Sequence, residues 1–480
     1  MGLKRNGAQP KREISVNFCG VKMKINKSAS LIGALLGFLA LTSSGRADDW
    51  PQWLGPQRDS VWREKGILSE FPDSGPILRW RSPIGGGYSG PAVADGRVYV
   101  MDRIAAEKNE QEDRDNFVRG TVGGNERIVC LRESDGKQLW VHEYDCPYSI
   151  SVNYNNGPRV TPVVDSGLVY SLGSEGNLYC LKATDGSFVW SCDFKKDYAL
   201  EIPLWGTSSH PLIDGDKLIC VVGGEGSVAV AFDKRTGKEL WRSLSAPQPG
   251  YAPPVIYEID GERHLLIWHS DAICSLNPET GELLWSVDLQ ATYAMAISTP
   301  RLVGKQLFLT SFQQKSWLVE IGEKRRSARI VWRGSRKKGI GGVFSTPFVK
   351  DGFLYGCNRN GYYTCVRMAD GEIIWTSLEP LQAERRVDWG NIFTVKHQDR
   401  FFLSTDTGDL IIAKLDTKEY HEVSRAKLIE PTHSVGSRTV VWSHPAFANR
   451  SIYLRNDREI LCYSLAEPMP ISSTPDAIEE

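Results

Sequence analysis

The sequence predicts an all-β fold: an eight-bladed β-propeller of four-stranded antiparallel blades, closed by an N-terminal strand that completes the last blade. Three observations predict it. Gly-x-x-x-Trp occurs five times, as Gly136 to Trp140, Gly186 to Trp190, Gly237 to Trp241, Gly281 to Trp285 and Gly371 to Trp375. Their tryptophans lie 50, 51, 44 and 90 residues apart, and Trp332 splits the last gap into 47 and 43. A period of that length with turn chemistry at a fixed offset suits one four-stranded blade per repeat. Eight units share one opening, a short run ending in proline or its degenerate equivalent. The eighth unit then ends one strand short, while a strand of the missing kind stands ahead of the first unit.

Unit 2 shows the plan. Thr161 to Tyr170 reads as a strand, a turn and a second strand, Gly173 to Asn177 as a turn, Leu178 to Lys182 as the third strand and Ser187 to Ser191 as the fourth. Short β-branched and aromatic runs separated by Asp-Gly or Thr-Gly are hairpin signals, and glycine supplies the positive φ such turns need. Unit 1 opens at Ser89-Gly-Pro91, unit 3 at Ser209-His-Pro211, unit 4 at Ala252-Pro-Pro254, unit 5 at Ser298-Thr-Pro300 and unit 6 at Ser345-Thr-Pro347. Unit 7 is degenerate: it starts near Asn391, keeps Leu410 to Asp416 and lacks the tryptophan. Unit 8 opens at Ser443-His-Pro445 and runs to Tyr463. Ile77-Leu-Arg-Trp80-Arg-Ser has fourth-strand character, so the segment around Trp80 is expected to complete blade 8 and remove its open edge. The repeat tryptophans are expected to pack each blade against the next, with an N–H to satisfy.

The ends and the one large departure are read separately. Residues 1–47 form an export signal, with Lys22, Lys24 and Lys27 before the apolar run Leu31 to Leu41, and small residues up to Ala47. Met23 would give a leader of conventional length. An uncleaved anchor is the alternative, disfavoured because the apolar run is short for a bilayer. Residues 48–75 are a lead-in, 76–467 the propeller and 468–480 a flexible tail. In unit 1 the charged stretch Arg103 to Arg127 reads as a solvated loop, either a lid or an inert excursion.

Composition limits the partners. Residues 48–480 carry 49 Lys/Arg against 57 Asp/Glu, with no basic stripe, which argues against nucleic acid and anionic lipid. No transmembrane segment remains once the signal is removed, and a monomer is expected. Of ten cysteines, Cys130, Cys180 and Cys365 each lie six residues before the repeat glycine, where Ala231 and Ser275 stand in other units. Cys462 fits the same small-residue slot. These read as buried core, and Cys146 and Cys192 in neighbouring post-tryptophan loops are the disulfide candidates.

The runs Leu178-Tyr-Cys-Leu-Lys-Ala-Thr-Asp-Gly-Ser-Phe-Val-Trp190, Val230 to Trp241, Leu276 to Trp285 and Met368 to Trp375 resemble the tryptophan-docking repeat of pyrroloquinoline quinone (PQQ)-like propellers. The resemblance covers roughly residues 50–467. The opening Asp49-Trp-Pro-Gln-Trp-Leu-Gly-Pro56 is similar to the start of many exported bacterial members. It implies the propeller fold and leaves two functional classes open: quinoprotein alcohol and sugar dehydrogenases, and the BamB-type scaffold of outer-membrane protein assembly.

The enzyme class should show more than this chain does. It commonly pairs adjacent cysteines near the quinone, and no Cys-Cys occurs here. It holds calcium with Glu, Asn and Asp, as a hard cation requires, and no segment assigns those roles. There is no Cys-x-x-Cys-His and no Gly-x-Ser-x-Gly. His264 and His269 fall in one strand region without metal-ligand spacing. Gly223-Gly-Glu-Gly226 lacks the following Lys-Ser/Thr and helix of a phosphate loop. No cofactor is assigned from the residues; PQQ with calcium is implied by the resemblance alone.

The candidate ligand residues precede the first strands, where propellers line their channel: Asn156, Arg159, Trp205, His210, Trp389, Asn391, Trp442 and His444, with Gly85 to Tyr88 beside them. These tryptophans fall outside the repeat slot. Aromatic, amide and imidazole groups so clustered suit a flat ring, a sugar or a peptide; the alternative is that they plug the channel and satisfy one another. The expected function is therefore an exported binding or scaffold protein of the periplasm or envelope, with envelope proteins or a small channel ligand as partners. A PQQ-dependent dehydrogenase is the alternative.

Overall fold

Each repeat unit folds as an antiparallel four-stranded sheet, and eight such sheets stand in a ring. A computed structural model of the chain describes residues 48–106, 119–149, 157–313, 315–322 and 327–468. The leader, residues 107–118 of the unit 1 loop, Asn153 to Asn156 and nearly all of the tail lie outside the described residues. Blade 2 sets the pattern, with strands Val163–Asp165, Leu168–Leu172, Asn177–Lys182 and Phe188–Asp193 in sequential order. In blade 8 the strands Ala446–Ala448, Ser451–Arg455 and Glu459–Ser464 are completed by Ile77–Pro83, with Trp80 opposite Cys462. The first strands of blades 1 and 8 lie side by side, so the ring closes where the sequence pattern placed the displaced copy.

The recurring Gly-x-x-x-Trp proves to be two halves of a joint between neighbouring blades. Trp140 of blade 1 donates its indole N–H to the carbonyl of Ala183 in blade 2 at 3.1 Å, and Trp190 of blade 2 donates to Lys234 of blade 3 at 3.0 Å. The ring then lies on the glycine of the receiving turn. A Cβ on Gly186 would stand 2.6 Å from the Trp140 ring, and one on Gly237 the same distance from Trp190, both at a positive φ that already favours glycine. Trp80, Trp241, Trp332 and Trp375 make the same indole-to-carbonyl bond to the following blade. The small slot is explained by the same joint. Cys130, Cys180, Ala231, Ser275 and Cys365 each sit opposite their blade's tryptophan on the neighbouring strand, one residue before a bulge. Burial pushes the Cys130 and Cys180 thiols up to about 12, as for inert core cysteines.

Two expectations need correction. Cys146 and Cys192 are not bridged: both are free, the Cys146 thiol facing Asn177 and the Cys192 thiol facing Asp197. Unit 7 is less degenerate than its sequence, since Ile392–His397, Arg400–Thr405, Asp409–Leu415 and Tyr420–Lys427 make a full blade. Ser424 stands where the tryptophan would, opposite Ile412 at the bulge. The lead-in fills the vacancy: the Phe71 amide donates to the Ser424 hydroxyl at 3.0 Å, and the Phe71 ring is buried in the core shared by blades 7 and 8.

The rest of the lead-in runs beneath the ring. Trp50 exchanges backbone hydrogen bonds with Val93 of blade 1, and the Pro51 carbonyl accepts from Val164 of blade 2. The Arg58 guanidinium donates to the carbonyls of Pro211 at 2.9 Å and Pro254 at 3.1 Å, ahead of blades 3 and 4. Arg301 of blade 5 donates to the Arg58 carbonyl and the Ser60 hydroxyl. Trp62 and Ser60 bond to Lys396 of blade 7, and the Trp50 and Trp62 rings pack on Phe447 of blade 8. Asp49 to Trp62 thus closes the end of the channel where the first hairpin of each blade turns.

Candidate functional site

Each blade is entered through a loop that passes the channel, and the proline that opens the blade fixes a common register. The residue two before it ties blade to blade: the hydroxyls of Ser89, Ser209 and Ser298 donate to the carbonyls of Val160, Ala252 and Ser345, the equivalent residues of the next blade. The residue one before it adds a second tie, with the Thr161 and Thr299 amides donating to His210 Nδ1 and Thr346 Oγ1. With both neighbours engaged in the ring, the residue three before the proline faces the axis. Tyr88, Arg159, Ser208, Tyr251, Ile297, Phe344 and Trp442 occupy that position in the seven blades that keep the proline, and all seven line one pocket.

The pocket has a volume of about 150 Å³. Its floor is Trp53 of the lead-in. That ring stacks on His210 at 4.1 Å with planes 9° apart, tilts against His444 at 4.5 Å, and donates its N–H to Thr299. Trp205 and Trp389 rise above the floor on loops, with Trp205 edge-on to Tyr251 and Trp389 stacked on Phe312. Of the eight sequence candidates, Arg159, Trp205, His210, Trp389, Trp442 and His444 meet here. Asn391 is buried outside the lining, its backbone N–H donating to Asp406 at 2.9 Å, and Asn156 lies outside the described residues. Sequence reasoning missed Trp53, Ser208, Tyr251, Pro253, Met295, Ile297, Phe344 and Phe393. The register three before the proline would have found four of them; Trp53 carries no periodic signal.

Trp389 is held against its own preference. Its φ of 63° lies in the left-handed region, which costs a non-glycine residue roughly 1 kcal/mol or more. Arg438 fixes it by donating to the Trp389 carbonyl at 3.0 Å while pairing with the buried Asp406 at 2.7 Å. Asp406 also accepts from the Asn391 backbone N–H at 2.9 Å, so one buried carboxylate anchors both the Arg438 clamp and the start of blade 7. Burial raises its proton affinity, and the Arg438 guanidinium opposes that rise.

The two floor histidines are neutral. Burial lowers His444 to about 3, and burial with the nearby Arg58 charge holds His210 well below the usual imidazole range. An unfolded chain takes up these protons near the ordinary value of 6.5. Between that pH and the folded values the unfolded state binds more protons, so stability is full above pH 6.5 and falls as the pH drops through the window. Each unit of displacement is worth about 1.4 kcal/mol, so complete acidification removes on the order of a few kcal/mol at His444. Denaturant unfolding from pH 7 to 4 should show this loss, with a shallower pH slope for His444→Asn; an unchanged slope would mean the imidazole is not held neutral.

Residues 124–377 match the family model described as outer membrane protein assembly factor BamB, a span of more than half the chain. The chain belongs to the BamB family. No curated protein matches it significantly. Among solved structures, BamB from Moraxella catarrhalis is 15% identical, with TM-score 0.49, covering 81% of this chain and 98% of its own. The quinohemoprotein alcohol dehydrogenase from Comamonas testosteroni is 12% identical, with TM-score 0.55, covering 90% of this chain and 82% of its own. A second such dehydrogenase, from Pseudomonas putida, is 14% identical, with TM-score 0.53 and coverages of 89% and 82%. At these identities the dehydrogenases share the fold and no more.

A calcium-held quinone does not fit this lining. Calcium takes about six to eight oxygen ligands, mostly carboxylates and carbonyls. Among the described residues the pocket presents no Asp, Glu, Asn or Gln side chain; its side-chain oxygens come from Ser208, Tyr88 and Tyr251. Among the described residues no three His, Cys, Asp or Glu side chains are grouped to hold a metal ion.

Proposed function

We propose that this BamB-family propeller is an exported binding or scaffold protein of the cell envelope, and that its channel pocket receives a flat ring from a small ligand or a partner. The observation that carries the reading is the convergence of Trp205, Trp389 and Trp442, none of them needed for blade docking, on one pocket floored by Trp53. Aromatic walls with a few polar groups are the usual make-up of a ligand site. The leader pattern in residues 1–47 and the family described by its role in outer membrane protein assembly support the envelope location. Among the described residues no helix is long and apolar enough to cross a membrane. The dehydrogenase reading draws on shared fold alone; with added PQQ and calcium it requires a bound chromophore and dye reduction with alcohols or sugars.

The neutral fluorophore 2-naphthol tests the pocket without invoking charge. The double variant Trp205→Ala, Trp389→Ala should lose at least tenfold in its affinity while unfolding cooperatively, at a cost of about 2–4 kcal/mol for two half-buried rings. Collapse of the fold would instead make these side chains a structural plug.

A further inference from the structure

We infer that the pocket is built for an aromatic carboxylate, with Arg159 as the residue that receives the carboxylate. This rests on the pocket being a ligand site and adds the charge and shape of what it takes. Arg159 is the one cationic side chain of the lining among the described residues, and no carboxylate side chain lines the pocket with it. Among the described residues, no Asp or Glu lies within ion-pair distance of its guanidinium, whereas the nearby Arg119 is paired with Glu175. One Nη donates to the Gly157 carbonyl at 3.0 Å, and the guanidinium sits 5.0 Å from the centre of the Tyr88 ring. Those contacts steady the group and leave part of its fork unused.

A half-buried guanidinium with no counter-charge among the described residues is open to a carboxylate, which makes paired charge-assisted hydrogen bonds with it. Burial does lower the proton affinity of Arg159, and the charged group acting on it besides the tyrosines is Arg119, a further cation. The other ionisable side chains of the lining add no net charge, since His210 and His444 are held neutral by burial. The remaining walls are ring faces and apolar groups: Trp442 tilts against Phe344 at 4.4 Å, and Trp53 forms the floor. An aromatic acid entering the pocket sets its ring against this aromatic lining with its acid group toward Arg159. Aliphatic acids lack the ring stacking, and neutral or cationic rings leave the guanidinium unpaired.

Three near-isosteric indoles separate these terms. On the intact protein, indole-3-acetate should bind at least tenfold more tightly than indole-3-ethanol, and tryptamine should bind most weakly of the three. Arg159→Met should abolish the preference for the acetate, bringing the ratio of acetate to ethanol affinity down to about one; Arg159→Lys should keep part of it, because the charge remains and the fork is lost. Arg159→Gln serves if the methionine variant fails to fold. Equal binding of acetate and ethanol to the unaltered protein, or a preference that survives in Arg159→Met, overturns the carboxylate assignment while leaving the pocket reading in place. If none of the three binds, and 2-naphthol does not either, the pocket reading falls with it.

Discussion

Removing residues 76–84 should abolish cooperative folding, whereas removing residues 469–480 should change stability by no more than about 0.5 kcal/mol. The first deletion leaves blade 8 with three strands and exposes Glu459–Ser464 as an open edge. It also takes away the seam to blade 1: the Trp80 indole donates to Glu133 at 2.7 Å, Ser82 donates to the Gly136 carbonyl at 2.6 Å, and the Trp80 ring covers Gly136. The second deletion leaves every described strand intact. Trp80→Ala alone should cost about 3–5 kcal/mol, the usual range for truncating a buried tryptophan. Urea unfolding of the three variants checks this ordering. Similar losses from the two deletions would mean that the ring does not depend on its N-terminal strand.

Trp53→Ala should weaken both the fold and the pocket. The ring is buried between two imidazoles and Phe393, and its N–H is bonded to Thr299. Truncation should cost about 3–5 kcal/mol. It should also lower 2-naphthol affinity at least tenfold, because the floor that closes the channel is gone. Trp53→Phe should retain most of both. If Trp53→Ala lost stability and kept full affinity, the lead-in would be a strap and no part of the site.

The blades were legible in the sequence because each Gly-x-x-x-Trp is a complete local statement. Gly136, Gly186 and Gly237 each receive one tryptophan, and the tryptophan four residues later is delivered to the next glycine, so there the period is the joint itself; among the described residues Trp285 meets no such glycine, and Trp375 keeps only the bond to the Asp416 carbonyl. The small residue opposite Trp140, Trp190 and Trp375 follows from the same ring, which is why Cys130, Cys180 and Cys365 could be read as core. Trp80 was legible as a copy out of place. Blade 7 was harder, since its joint is filled by Phe71 from 353 residues away on a serine that no pattern marks. The plug was illegible for the same reason: Trp53 bonds to Thr299 across 246 residues, and Asp49 to Pro56 has no repeat with which to align. The pocket was half legible. Searching for tryptophan and histidine found Trp205, His210, Trp389, Trp442 and His444, but the governing rule is position, three before the opening proline. Tyr251, Ile297 and Phe344 obey it with unremarkable side chains. Asn391 looked equivalent by chemistry, yet blade 7 lacks the proline, and Asn391 is buried outside the lining with its backbone N–H on Asp406.

The most direct measurement is a crystal structure of the protein soaked with indole-3-acetate at a concentration that saturates it in solution. The account predicts one indole lying above Trp53, between Trp389 and Trp442, with its carboxylate on Arg159. Saturation in solution with the indole bound at the rim or on the outer strands, and the channel pocket empty, would contradict it.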